Sequence, residues 1–88
     1  MTRSVTHGFT LNRTASSMGR SVWTSRLWIL RYERTREPDS VEMEKQALQV
    51  HMANLKSWYP EDWAKVLNAT RPWARKKARS EGLDLTAI

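Results

Sequence analysis

The chain has 88 residues, no cysteine, and 15 Lys plus Arg against nine Asp plus Glu, for a formal charge of +6. That length allows one small domain, which buries only about 60% of the surface its unfolded form exposes, and the missing cysteines exclude a disulfide framework and a thiolate zinc site. A pI near 10.3 suits polyanions such as nucleic acid or anionic lipid, and equally a basic surface kept for solubility.

From Met1 to Tyr32 there is no acidic residue, while Arg3, Arg13, Arg20, Arg26 and Arg31 recur among five Ser and five Thr. An acid-poor start rich in Arg and Ser is the composition of organellar transit peptides and also of basic disordered arms that lie on nucleic acid. Only isolated apolar residues (Val5, Phe9, Leu11, Met18) occur before Gly19, so residues 1–19 are expected to form a disordered basic arm or a targeting leader. The arm implies an intracellular, cytoplasmic protein, and the leader an organellar matrix. The most apolar run, Val22 to Tyr32, carries Arg26 and Arg31 and is about half the ~20 residues a membrane helix needs, which excludes a transmembrane span.

Residues 20–36 are ambiguous. As a helix they place Trp23, Leu27 and Leu30 on one stripe, with Trp28 and Tyr32 beside it. As a strand the same aromatic and β-branched content alternates. Helix is preferred, because nothing later in the chain offers a strand to pair with. Pro38 then breaks the pattern, and Asp39 with Glu42 makes a capping-box-like start for a helix over residues 40–57. Its apolar face is Val41, Ala47, Leu48, Met52 and Leu55.

Pro60, Glu61 and Asp62 suit a second start, with Trp63, Val66 and Leu67 facing inward over residues 60–68. Asn68 tolerates the left-handed geometry of a stop. Thr70 and Pro72 suit a further start and Gly82 a stop, giving a last helix over residues 71–81. The expected fold is therefore all-α: a small helical domain of three to four helices over residues 20–88, behind a flexible basic arm. Leu83 to Ile88 forms a short apolar tail able to fold back on the bundle.

Five cations, Arg71, Arg75, Lys76, Lys77 and Arg79, lie in that last segment. A short apolar helix, a brief turn and a basic helix resemble helix-turn-helix DNA-binding domains over about the last quarter of the chain. Ala64 stands at the small position, Leu67 before the turn and Asn68 in it, with Thr70, Arg71 and Pro72 opening the second helix. Lys77 stands where that pattern usually has an apolar contact. The resemblance implies an accessory or regulatory protein that binds nucleic acid through Thr70, Arg71, Arg75, Lys76, Lys77 and Arg79, with arginine as the bidentate partner of guanine and lysine as a phosphate counter-charge. Ala74 and Ala78 would face back toward the supporting helices, and Trp73 would be a core anchor or a stacking group.

A second class fits the five Trp, two Tyr and four Met. Trp, Tyr, Met and Arg are enriched in buried interfaces, so Trp23, Trp28 and Tyr32 are the candidate patch of a protein-interaction subunit, adaptor or inhibitor. Their alternative place is the domain's own core. The firmly patterned part, Ser40 to Gly82, is near the ~40 residues below which a domain usually needs a metal, a disulfide or a partner, so a protein partner or homo-oligomer is expected. An enzyme is not. Glu61 and Asp62 are adjacent and point apart on a helix, and His51 has no carboxylate or nucleophile that its neighbourhood in sequence supplies. No cofactor, metal or small-molecule substrate is expected.

Overall fold

The computed structural model describes residues 11–87, so the part of the expected arm at residues 1–10 lies outside the described residues. Three helices follow in order: α1 (Arg13–Arg34), α2 (Pro38–Trp58) and α3 (Trp63–Ser80), then a 3-10 turn at Leu85–Ala87. The ambiguous segment is helix, and no strand occurs among the described residues. α1 is the middle element, with α2 and α3 each packed along it and the final turn against α1 and α3.

The first helix begins seven residues before the expected Arg20. Asn12 caps it, its Oδ1 accepting from the Ala15 amide at 2.8 Å, and that carboxamide oxygen also accepts from the Tyr59 hydroxyl at 3.3 Å. Residues 13–19 are thus not part of an arm. Gly19, which reads in sequence as a boundary, is a packing residue. A Cβ there would stand 2.7 Å from Thr70 Oγ1 and 2.9 Å from Val66 Cγ1, so only glycine lets α1 and α3 approach this closely.

At the far end of α1, Arg36 takes a positive φ of 58°. The Glu37 amide donates to the Tyr32 carbonyl at 2.9 Å and the Arg36 amide to Glu33 at 3.2 Å, the Schellman pattern that satisfies last-turn carbonyls. α3 ends in the same way: Gly82 has φ 69°, and the Leu83 amide reaches the Ala78 carbonyl at 2.9 Å. The expected stop at Gly82 is where α3 ends.

The start of α2 differs from the expected one. Pro38 opens the helix, Glu37 is the cap residue without a side-chain bond, and Asp39 sits in the first turn. Proline fits there because its missing amide donor is one the first turn leaves unpaired in any case.

The larger correction concerns α3. The two short helices expected at 60–68 and 71–81 are a single helix from Trp63 to Ser80, with Pro72 in its interior. No turn forms at Asn68. A proline amide cannot bond the carbonyl four residues back, here that of Asn68, but Asn68 and Pro72 both lie on the exposed side, where a lost backbone bond costs less than in the core. On the inward side Val66, Thr70, Ala74 and Ala78 recur every four residues and are all buried. This row lies unbroken against α1. Packing of an apolar face, not local preference, supplies most helix stability in proteins, and here it carries the helix through its proline.

The core is thin. Ala15, Val22, Leu55 and Val66 form its centre, flanked by half-buried Met18, Leu48, Met52, Tyr59, Trp63 and Leu67.

Candidate nucleic-acid interface

Trp23 anchors the site. Its side chain is 5% exposed, and its indole Nε1 donates to the Leu67 carbonyl and to Thr70 Oγ1, each at 3.1 Å. The Thr70 hydroxyl in turn donates to the Val66 carbonyl at 2.8 Å. Two expected assignments are corrected here. Thr70 is buried and fully engaged inside the seam, so it is not a surface contact for nucleic acid. Trp23 belongs to the core and not to a surface patch with Trp28 and Tyr32. A buried indole N–H needs an acceptor, and α3 supplies two.

Two guanidinium groups lie over the Trp23 ring, Arg26 at 5.3 Å and Arg71 at 5.4 Å from its centroid. These residues, with Arg75, Leu85 and Thr86, line a hollow of about 180 Å³. An adjoining hollow of about 260 Å³ continues past Arg75 to Arg79, bordered by Leu83 and Leu85. Arg71, Arg75 and Arg79 therefore form one row, with steps of four residues that amount to about 6 Å of helix rise each. Lys76 lies exposed beside the row.

Ion pairs among the described residues join Arg31 to Glu81, Lys45 to Glu42 and Lys65 to Asp62. None engages Arg71, Arg75, Lys76 or Arg79. The nearby Asp84 is occupied within its own turn, its Oδ1 accepting from the Thr86 amide at 3.1 Å and from the Thr86 hydroxyl. The row thus keeps its charge facing solvent.

Lys77 stands apart from the row. Its Nζ lies 5.2 Å from the Trp73 ring, which Arg20 of α1 also covers at 5.0 Å. Trp73 borders a separate groove of about 860 Å³ along the outer face of α1, floored by Ser17, Ser21 and Thr24 and closed at one end by Trp28 and Tyr32. Those two rings stack with centroids 5.3 Å apart, and Arg31 covers Trp28 at 4.5 Å. The six residues expected to bind nucleic acid therefore divide into a row (Arg71, Arg75, Lys76, Arg79), a core hydroxyl (Thr70) and a cation on another face (Lys77).

One ion pair closes the far end of the α1–α3 seam. Arg31 Nε donates to Glu81 Oε1 at 2.6 Å while its terminal nitrogen donates to Oε2, and Arg34 donates to the Glu81 carbonyl at 2.8 Å. The hydrogen bond from Arg31 holds the Glu81 carboxyl below its ordinary range, with smaller help from the nearby charges of Arg34 and Lys77. The same bond raises Arg31.

Arg26 is the residue that sequence reasoning missed. It is brought beside Arg71 only by the packing of α1 on α3, and its one signal in sequence was its place in the acid-free stretch. Among the described residues no group of three or more His, Cys, Asp or Glu converges as a metal site, and no helix is long and apolar enough to cross a membrane. Compared with known proteins, the chain matches no family model, no curated protein and no solved structure.

Proposed function

We propose that this chain is a small non-catalytic accessory protein that holds nucleic acid inside the cell by its phosphate backbone, through the arginine row of α3. The observation that supports it most is the row itself: Arg71, Arg75 and Arg79 in register, without carboxylate partners among the described residues, with Arg71 and Arg75 lining a hollow of about 180 Å³ beside Arg26 and Arg79 the adjoining one of about 260 Å³. Water occupies about 30 Å³ per molecule in the liquid, so the hollow has room for a phosphate group. Arginine presents planar pairs of N–H donors that match phosphate oxygens. Contacts of this kind fix position on the backbone and carry no base sequence.

The test is fluorescence anisotropy of a labelled duplex across a salt series, for the parent chain and for a variant with Arg71, Arg75 and Arg79 replaced by alanine. Log affinity should fall linearly with log salt, and the slope should shrink by about 0.9 for every phosphate that the variant no longer neutralises. Circular dichroism establishes that the variant keeps its helices. A parent that does not bind at about 50 mM salt, or a variant that binds as well as the parent, ends this reading.

A second reading, a subunit that docks on a larger protein, is favoured by one feature. Trp28 remains 40% exposed at the end of the α1 groove, stacked on Tyr32, where an aromatic anchor would meet a partner's pocket.

A further inference from the structure

From Met43 to Ser57 the outward face of α2 carries no charge, and Asp39, one heptad before Gln46, is the acid at its exposed first turn. Met43, Gln46, Val50, Ala53 and Ser57 follow one another at alternating three- and four-residue steps, and Met43 and Val50 are 72% and 58% exposed, with Trp58 65% exposed at the end of the row. This is the spacing of a two-helix seam: Met43, Val50 and Ser57 recur at one seam position, Gln46 and Ala53 at the other. The opposite side of the same helix, with Val41, Leu48 and Leu55, faces the core. Thus α2 has two seams, one filled by α1 and one bare.

The flanks of the bare seam say what fills it. Glu42, Gln49 and Lys56 occupy the same flanking position in successive seven-residue repeats, while Ala47 and Asn54 occupy the other flank. When two such helices run antiparallel, like flanks meet. Glu42 then faces Lys56 of a second copy, Gln49 faces its own equivalent, and Lys56 faces Glu42 of the second copy. A parallel pair sets these charges against alanine and asparagine instead.

Overall charge favours the same approach. α1 holds five arginines and one acid, α3 six cations and no acid, and α2 three acids against two lysines. Two copies of a basic chain meet with least repulsion through α2. Within one chain the flanking charges have weak, exposed partners: Glu42 lies 3.8 Å from Lys45, and Lys56 lies 4.5 Å from the Trp63 ring.

We propose that this face is the seam of an antiparallel homodimer, in which α2 lies against α2 of a second copy across a two-fold axis passing near Gln49. The interface is isologous, so each residue acts twice. It stands independently of the nucleic-acid reading, because the arginine row belongs to α3 and α3 packs on α1.

Sedimentation equilibrium of the full chain without nucleic acid, from about 1 μM to about 500 μM, tests it. The parent should pass from monomer to dimer within that range. Val50→Glu, a change at an exposed position, should remain monomeric throughout with its helical circular dichroism unchanged. Glu42→Lys and Lys56→Glu should each weaken the dimer about tenfold, because each sets two pairs of like charges opposite one another, and the double variant should recover the parent's affinity to within about twofold. A parent that stays monomeric throughout the range, single variants that dimerise like the parent, or a double variant that fails to recover would overturn the proposal.

Discussion

The two sides of α1 are packed on opposite terms. Toward α3 the closest approach is made by small groups, Gly19 against Val66 and Thr70, with Ala74 and Ala78 buried further along the same row, and the backbones come so close that a single added carbon would stand 2.7 Å from a hydroxyl. Toward α2 the contacts are made by volume, with Leu55 fully buried and Leu48 and Met52 packed beside it. One seam should fail when atoms are added, the other when they are removed. The α3 seam also has a polar lock in the Trp23 indole, so its register is specified as well as its distance.

The sharpest way to break this contrast is to exchange the insults. Gly19→Leu, which forces a branched side chain into Thr70 and Val66, should destabilise by about 3 kcal/mol or more. Leu55→Ala should lose about 3 kcal/mol through the cavity it leaves. Each kcal/mol lowers the melting temperature of a domain this size by roughly 4–8 °C, so both are readable by thermal denaturation. The contrast then predicts an asymmetry: Gly19→Ala should still be destabilising, whereas Leu55→Met, which nearly conserves volume, should fall within about 1.5 kcal/mol of the parent. Equal effects from these two mild changes would remove the distinction between the seams.

Two smaller effects sharpen it further. Trp23→Phe keeps the ring but deletes the N–H that reaches the Leu67 carbonyl and Thr70, and should destabilise by about 1–2 kcal/mol, with little change for a comparable aromatic swap at exposed Trp58. Pro72→Ala should do the reverse. The proline is exposed on the outer side of α3, and a helix-interior proline is about 3 kcal/mol less favourable than alanine. Part of that is offset by the greater freedom of the unfolded chain, so a gain of about 1–2 kcal/mol is expected in chemical denaturation.

Much of the architecture was legible in sequence because it rests on periodicity: the helical stripe of residues 20–36, the apolar face of α2, the inward Val66 and Leu67, and the stop at Gly82. What was not legible rests on contacts between distant residues. Asn68, Thr70 and Pro72 together read locally as stop, cap and restart, yet the Thr70 hydroxyl is turned inward to Trp23 and Val66, and the packed row of Val66, Thr70, Ala74 and Ala78 overrides the local signals. Ala15 and Gly19 carry little hydropathy, so the first turns of α1 showed no apolar period although both residues are buried. For the candidate site, the four-residue recurrence of Arg71, Arg75 and Arg79 was readable, but Arg26 joins them from another helix, and nothing local distinguishes a tryptophan that locks a seam from one that lines a surface.

The smallest expected effect concerns the far end of the α1–α3 seam, where Arg31 and Glu81 meet. The hydrogen bond from Arg31 lowers the folded-state value of the Glu81 carboxyl, so the folded chain holds that proton less tightly than the unfolded chain does. Stability from this pair is therefore fully present above the unfolded carboxylate value, about 4.3, and is lost as pH falls through the lower folded value. Melting temperatures measured from about pH 6 down to about pH 3 should decline for the parent, and the decline should be shallower for Glu81→Gln, whose uncharged amide has no such proton to gain. Because the pair is partly open to water, salt should reduce the difference between the two chains. If Glu81→Gln leaves the acid limb as steep as the parent's, the α1–α3 seam is not closed by this ion pair, and its specificity rests on Gly19 and Trp23 alone.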